Sequence, residues 1–180
     1  MTSPYPWYEV VEDESLEQGD IFLSCQVLEP ALIKLGTSAT EFEMQAIVKE
    51  YDIVVLSQSC DLVQGKLETV LVSPHWPITD FETSAGDFFR SSKGKEEIRR
   101  GNVPGLHMLA QCDLPSFASP VRVVSFRQVF GIPLDYLIDL ASQDSDRLRL
   151  LPPYREHLAQ AFARFIMRVG LPVDIQPFKK

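Results

Sequence analysis

The apolar residues of this chain occur in short runs of the length of β-strands. Residues 53–56, Ile-Val-Val-Leu, are all apolar, which predicts a central strand buried on both faces. Residues 20–28 and 67–73 predict two more strands, and residues 41–48 alternate polar and apolar side chains as a half-exposed strand does. Because short connections join these segments, we expect an antiparallel meander.

The second half of the chain combines strand and helix patterns. Residues 79–105 lose the strand pattern and predict an inserted helix or two, with a mobile tip at 91–94. Residues 120–126 predict a strand, residues 134–141 a short helix, and residues 147–151 an alternating edge strand. The pattern therefore predicts a mainly β fold with α-helices.

The clearest helix is the last one, which follows Pro153 and ends before Gly170. Several apolar side chains form one stripe along it that we expect to face a core: Leu158, Phe162, Phe165, Ile166 and Val169. His157, Arg164 and Arg168 lie along one flank of that stripe. They are either rim residues that pair with acidic side chains, or the lining of a groove that binds a phosphate or carboxylate.

Composition and net charge narrow the class of protein. A chain of 180 residues, 45% of them hydrophobic, can bury a core as one domain, and no apolar run reaches the roughly 20 residues that span a bilayer. The N-terminus lacks the pattern of a signal peptide. The net charge of -8 argues against a general nucleic-acid coat protein. Three irregularly spaced cysteines argue against a disulfide framework, so we expect a cytoplasmic protein.

Charge is distributed unevenly along the chain. Residues 1–18 form an acidic N-terminal arm without Lys or Arg, whereas residues 147–168 carry five arginines and one glutamate. This distribution indicates solvated faces and internal ion pairs, or alternatively a basic groove for an anion that the acidic arm shields.

Three segments resemble the strands of the PemK/MazF-like toxins. They are Gly-Asp-Ile-Phe at 19–22, Asp-Ile-Val-Val-Leu-Ser-Gln at 52–58 and Thr-Val-Leu-Val-Ser-Pro at 69–74. The later order of elements is similar as well: a strand, a turn segment, an Arg-Leu pair and an amphipathic terminal helix. The likeness is one of pattern and contains no long identical motif.

The resemblance covers about residues 20–78 and 118–170 and leaves residues 79–117 as an insertion. It implies an SH3-like antiparallel β-barrel in one domain, residues 19–180, with an inserted helical segment and a C-terminal amphipathic helix. It also implies a homodimer of a toxin–antitoxin or defence system. Such a protein cleaves single-stranded RNA as a metal-independent endoribonuclease or binds a protein partner such as an antitoxin.

The active-site arginine of that family does not carry over directly. The family places it immediately before the second apolar strand, and here that position is Tyr51 or Asp52. The family's Thr or Ser at the end of the third strand falls near Ser73 or His75. Arg122 or an arginine of the last helix would have to supply the cation that stabilises the phosphate.

RNA cleavage without a metal needs a base, an acid and a cation at the phosphate. We assign His75 as the base, Asp61 as the residue that orients it, and Arg122 as the cation, and expect Asp61 beside His75 on the neighbouring strand. Substrate contacts are expected from the polar end of the second strand, the third strand and the last helix: Gln58, Ser59, Cys60, Ser73, His157, Arg164 and Arg168. No metal or cofactor is expected, because metal-ligand spacings and phosphate-binding loops are absent from the sequence.

Two other functions fit the same residues. In the first, the protein is a catalytically inactive interaction module of the same fold, and Tyr5, Trp7 and Tyr8 of the acidic arm dock on another chain. In the second, Cys60 is the nucleophile of a hydrolase and His75 its base. The carboxylate next to that cysteine in the sequence disfavours a thiolate.

Overall fold

A computed structural model of the protein describes residues 5–35, 42–143 and 146–167, with the backbone alone at 32–35 and 42–44. The described strands are β1 (Tyr8–Val11), β2 (Asp20–Leu35), β3 (Phe42–Val55), β4 (Thr69–Pro77), β5 (Leu106–Leu109), β6 (Arg122–Ser125), β7 (Phe130–Pro133) and β8 (Arg147–Leu150). The described α-helices are α1 (Ser59–Val63), α2 (Ile78–Ser84), α3 (Asp87–Arg90), α4 (Ser92–Arg99), α5 (Leu134–Gln143) and α6 (Tyr154–Ile166). A single 3₁₀ turn spans Pro115–Phe117 in the same part of the chain.

The strands form one antiparallel sheet in the order β1-β8-β2-β3-β4-β6-β5. Strand β4 also pairs with β7, so that β7 and β6 follow each other along one of its edges and β3 occupies the other. This architecture confirms the predicted mainly β fold with helices. Backbone pairing does not join β1 to β5 within the described residues, and the SH3-like barrel stays a prediction. The Tyr8 hydroxyl nevertheless donates to the Ala110 carbonyl (2.7 Å), which brings these two ends of the sheet together.

The core lies on both sides of β3. Ile53 and Val55 belong to one cluster, which α5 covers, and Val54 and Leu56 belong to a second, which α6 covers. All four side chains are buried, which confirms the prediction made from the apolar run. Alternate side chains of a strand point to opposite faces, so a strand without a polar position has to be covered on both.

Two strand assignments differ from the predictions. Residues 42–48 and 53–55 belong to one continuous strand, β3, which pairs along most of its length with β2. Residues 147–150 form an interior strand and not an edge strand, because β1 pairs with one side of it and β2 with the other. The alternating pattern did not distinguish the two cases, since the arginines of this strand are buried in ion pairs.

Helix α6 begins directly after Pro153, as predicted, and three residues of the predicted stripe pack on the second cluster: Leu158, Phe162 and Phe165. The stripe is wrong at Ile166, whose side chain is 61% exposed at the end of the helix. Val169 lies outside the described residues.

The first part of the predicted insertion, residues 79–117, forms α2, α3 and α4, which pack against the sheet around Ile98 and Val123. The insertion is not helical throughout, because Leu106–Leu109 form β5, which pairs with β6 at the edge of the sheet. Residues 91–94, predicted as a mobile tip, are the start of α4. The Ser91 hydroxyl accepts a hydrogen bond from the Gly94 amide (3.0 Å), which is the usual way a serine caps a helix. Among the helices of the described residues, none combines the length and the apolar composition needed to cross a membrane.

Candidate functional site

Three polar side chains from neighbouring strands meet on one face of the sheet: Asp52 of β3, His75 of β4 and Arg122 of β6. The strand register explains this. Continued by one residue, the β3–β4 register places Asp52 opposite His75. His75 is paired with Val124, and Arg122 lies two residues away on the same face of β6. The structure thus brings together two of the predicted catalytic residues, His75 and Arg122, with an aspartate that was not predicted.

Arg122 connects the other two residues. Its Nε donates to Nδ1 of His75 (2.7 Å), and its Nη2 donates to the carboxylate of Asp52. The Arg122 side chain is 12% exposed and that of Asp52 is 28% exposed. Nη1 of Arg122 makes no hydrogen bond within the described part of the chain, so it is the portion of the guanidinium that a ligand could contact.

His75 is held in its neutral form. Its pKa is lowered from 6.5 to about 3, first by burial and then by the charge of Arg122, and the Ile53 backbone offsets this only in part. Because Nδ1 accepts a hydrogen bond, the ring proton lies on Nε2. Nε2 is buried and has no partner with hydrogen-bond geometry in the described molecule. An imidazole with so low a pKa is a weak general base near neutral pH.

A cavity of about 210 Å³ lies beside these residues. Its other walls come from β1, β2, β8 and the segment before β6, and they include Tyr8, Ile21, Leu148, Ser116, Phe117 and Ser119. Arg122 is the cation in this cavity, but the carboxylate of Asp52 already compensates its charge. The geometry is therefore that of a satisfied polar network with a small opening, and it offers an incoming phosphate little net positive charge.

Asp61, predicted to orient His75, lies at the opposite end of the β3–β4 ladder. In an antiparallel pair the end of one strand meets the start of the other, and here the Leu56 amide donates to the Leu71 carbonyl (2.8 Å). His75 is about 13 Å further along β4 at the rise of a strand. The expectation that Asp61 lies beside His75 is therefore wrong.

The remaining residues of that polar segment form α1 and its N-terminal cap. Gln58 is exposed before the helix, the Ser59 hydroxyl accepts from the Gln18 amide (3.0 Å), and Cys60 is exposed. Cys60 is distant from His75 for the same reason as its neighbour in α1. The structure does not bring together the cysteine and histidine of the predicted thiol hydrolase.

The other predicted substrate contacts are dispersed. Ser73 is buried, and its hydroxyl donates to the Ser125 carbonyl (2.9 Å), so it supports the turn that follows β6. His157 and Arg164 are exposed on α6 and do not line the cavity at Arg122. Arg168 lies outside the described residues.

The arginines of β8 are used in internal ion pairs. Arg147 and Arg149 both donate to the buried carboxylate of Asp20 at 3.0 Å, and Arg155 donates to Glu17 (2.8 Å). Of the two interpretations of the charge pattern, the structure confirms internal ion pairs for these arginines. They are not the free lining of a basic groove.

The aromatic residues of the acidic arm contact this chain itself. Trp7 stacks on Tyr154, with 3.7 Å between the ring centroids, and Tyr8 donates to the Ala110 carbonyl. Tyr5 is 59% exposed. Docking of Trp7 or Tyr8 on another chain would have to break these contacts.

Sequence reasoning missed Asp52 as a member of this cluster. By the family resemblance, Asp52 stands at the position of the family's active-site arginine. In the structure it forms an ion pair with Arg122. Strand alternation placed Asp52 and Val54 on one face of β3, which is a usable signal. Its position opposite His75 depends on the strand register, which the sequence pattern does not provide.

Comparison of the chain with protein-family models, with curated proteins and with solved structures gives no match. The PemK/MazF-like assignment therefore stays a prediction from the sequence pattern. The described residues contain no group of three or more His, Cys, Asp or Glu side chains placed to hold a metal ion.

Proposed function

We propose that this protein is a protein-interaction module whose contact surface is the β2–β3 ribbon, here defined as residues 26–31 and 45–50. The observation that carries the proposal is the exposure of apolar side chains on this ribbon. Leu28 is 67% exposed and Val48 is 61% exposed, and the two are direct cross-strand neighbours. Exposed apolar surface of this kind is typical of interaction sites.

The ribbon lacks a third strand within the described residues. β2 pairs with β8 only at Asp20 and Ile21, and β3 pairs with β4 only from Ile53 to Val55. Between these points β2 and β3 have each other as partners, and every side chain from 45 to 50 is exposed. Because two isolated strands are marginally stable in water, such a ribbon gains stability by binding a partner.

An apolar groove continues the face that carries Leu28 and Val48. Its volume is about 660 Å³, and the rest of its lining comes mainly from β7 and α5: Phe130, Ile132, Pro133 and Tyr136. This lining differs from that of the cavity at Arg122, where charged groups meet. We expect the partner to contact the ribbon and the groove together.

The double substitution Leu28→Lys and Val48→Lys tests this proposal. Both side chains are exposed, so we expect the melting temperature to change little. Binding of a captured partner protein, or self-association measured by sedimentation, should weaken by about tenfold or more. Val63→Lys is the matched control, because Val63 is a 73% exposed apolar residue on α1, outside the ribbon. Partner binding and self-association that are unchanged in the double variant would contradict the proposal.

A second candidate is metal-independent cleavage of single-stranded RNA. The observation that favours it is the 2.7 Å contact between Arg122 and His75 beside a cavity. Incubation with a long single-stranded RNA in EDTA tests it: fragments that disappear in Arg122→Ala and His75→Ala, at a retained melting temperature, support a nuclease. Intact RNA contradicts it. Lys93→Ala, at an exposed position of α4 outside the expected RNA contacts, is the control.

The biological setting is part of the same proposal. A toxin–antitoxin or defence role in the cytoplasm would make the partner an antitoxin or a second copy of this chain. Three free thiols support a reducing compartment: Cys25, Cys60 and Cys112.

A further inference from the structure

A cavity of about 380 Å³ lies between the inserted helices and the sheet. Three aromatic rings line it: Trp76 at the end of β4, Phe81 of α2 and Phe89 of α3. The rings of Phe81 and Phe89 meet edge to face with 5.7 Å between their centroids, which restrains their orientation. We call this cavity the Arg127 pocket, after the charged residue on its wall.

Among the described residues, none pairs with the guanidinium of Arg127. It is exposed, and it makes no hydrogen bond or ion pair within the described residues. Seven other arginines of that part of the chain have a carboxylate oxygen within 4.0 Å: Arg90, Arg99, Arg100, Arg122, Arg147, Arg149 and Arg155. In a protein of net charge -8, carboxylates are abundant, so an unpaired guanidinium beside aromatic rings is available for an external anion.

The position of Arg127 is set by the turn between β6 and β7. The Gln128 amide donates to the Ser125 carbonyl (3.1 Å), and the buried hydroxyl of Ser73 donates to the same carbonyl. On its other side the turn packs against Gly105, where an added Cβ would lie 3.4 Å from Cγ of Arg127. The turn thus fixes the backbone at Arg127, whose side chain is exposed beside the pocket.

We propose that the Arg127 pocket binds a mononucleotide, with the base against the aromatic rings and the phosphate on the guanidinium of Arg127. Nucleobases stack on Trp and Phe rings whatever the base, and a guanidinium binds a phosphate through two parallel hydrogen bonds. Ser84 and Ser125 also line the pocket and offer polar contacts to a base edge. This site is separate from the β2–β3 ribbon and does not depend on it.

The volume of the pocket and the net charge of the protein favour a single nucleotide over a nucleic-acid strand. A volume of about 380 Å³ is near the lower limit of ligand pockets, which suits one base and one phosphate. The net charge of -8 opposes the approach of a long phosphate backbone, whereas one phosphate needs only the local charge of Arg127.

Fluorescence of Trp76 provides the test. Trp7 and Trp76 are the two tryptophans, so Trp7→Phe leaves Trp76 as the reporter and keeps an aromatic ring on Tyr154. We expect saturable quenching by adenosine 5′-monophosphate, and weaker, also saturable quenching by adenosine. In the same background, Arg127→Gln should weaken binding of the monophosphate by about tenfold or more and leave binding of adenosine unchanged.

The matched control is Arg164→Gln, because Arg164 is exposed and does not line the pocket. It should leave both ligands unaffected. A melting curve of each variant verifies the fold, and Arg127→Lys should restore part of the affinity for the monophosphate. Absence of saturable quenching at millimolar monophosphate overturns the proposal. Equal affinities in Arg127→Gln and its parent, or binding of oligonucleotides without any binding of the mononucleotide, overturn it as well.

Discussion

Arg122 satisfies two acceptors from two other strands with one guanidinium group. Its Nε binds Nδ1 of His75, and its Nη2 binds the carboxylate of Asp52. A buried guanidinium without these acceptors would keep its desolvation cost, which exceeds the net gain of an ordinary hydrogen bond. At the scale of single residues, the side-chain contacts of this cluster therefore stabilise the packing of β3, β4 and β6 against one another.

Asp52→Asn tests this stabilising role of the cluster. The substitution keeps the shape of the side chain but removes the charge that compensates Arg122, so we expect the free energy of unfolding to fall by about 1–3 kcal/mol. Asp61→Asn on α1 is the matched control and should change it by less than about 0.5 kcal/mol. Urea denaturation measures both variants. Similar losses in the two would show that the pairing with Arg122 is not the cause.

Two histidines, the buried His75 and the half-buried His107, should make the free energy of unfolding depend on pH. The pKa of His75 is lowered to about 3, and that of His107 to about 4 by burial and then by the charge of His157. The unfolded chain takes up these protons near pH 6.5, whereas the folded protein does not. The stabilisation is therefore complete above about pH 6.5 and decreases as the pH falls towards the folded pKa values.

Urea midpoints measured between about pH 7.5 and about pH 4.5 test this dependence on pH. His107→Asn cannot be protonated, so the decrease should become shallower in that variant. An unchanged slope would exclude His107 as a contributor.

Helices α3 and α4 approach each other where a side chain does not fit. A Cβ added to Gly94 would lie 2.1 Å from the carbonyl oxygen of Phe88. The Ser91 cap begins α4 at the same point, so the chain reverses direction within a few residues. At the scale of elements this contact positions Phe89, and with it one wall of the Arg127 pocket.

Gly94→Ala should separate α3 from α4. We expect the free energy of unfolding to decrease by about 1–3 kcal/mol, as for other overpacked sites, and binding of adenosine 5′-monophosphate to weaken. Lys93→Ala, on an exposed neighbour in the same helix, is the control for helix propensity. Thermal unfolding followed by circular dichroism gives the stability. A Gly94→Ala protein as stable as the control would show that the two helices have room to shift.

Buried ion pairs join the N-terminal segment to β8. Asp20 is fully buried and accepts from Arg147 and Arg149, and Glu17 accepts from Arg149 (3.1 Å) and Arg155 (2.8 Å). These contacts connect the start of the described chain to its last strand and last helix. At the scale of the whole molecule the acidic segment is thus part of the folded domain. Deletion of residues 1–18 would remove β1 and the acceptors that Asp13, Ser15 and Glu17 offer to Arg147 and Arg149.

Asp20→Asn should therefore be strongly destabilising. We expect a loss of about 3–5 kcal/mol in the free energy of unfolding, because two buried guanidinium groups lose the charge that compensates them. Glu14→Gln, in an exposed position of the same segment, should change it by less than about 0.5 kcal/mol. Equilibrium unfolding in urea measures both. A small loss in Asp20→Asn would mean that Glu17 and backbone carbonyls can replace the missing charge.

The sequence by itself determined the features that depend on neighbouring residues. Residues 53–55 lie in a strand that is covered on both faces, because every side chain of the run 53–56 is apolar and buried. Helix α6 begins directly after Pro153, because a proline has no amide hydrogen and is tolerated at the start of a helix but not in its interior. The same local reasoning gave the mainly β class and the helices of residues 79–105, since each follows from periodicity and turn residues.

The tertiary structure decided which polar residues meet. Arg122 is separated by 47 residues from His75 and by 70 from Asp52. A shift of one residue in the strand register would turn one of them to the opposite face. Asp61 follows the end of β3, and His75 lies near the end of β4. Because these two strands pair antiparallel, their ends lie at opposite ends of the ladder, and Asp61 is distant from His75. Register and direction arise from the packing of the whole sheet, so no local pattern could have supplied Asp52 as the partner of Arg122.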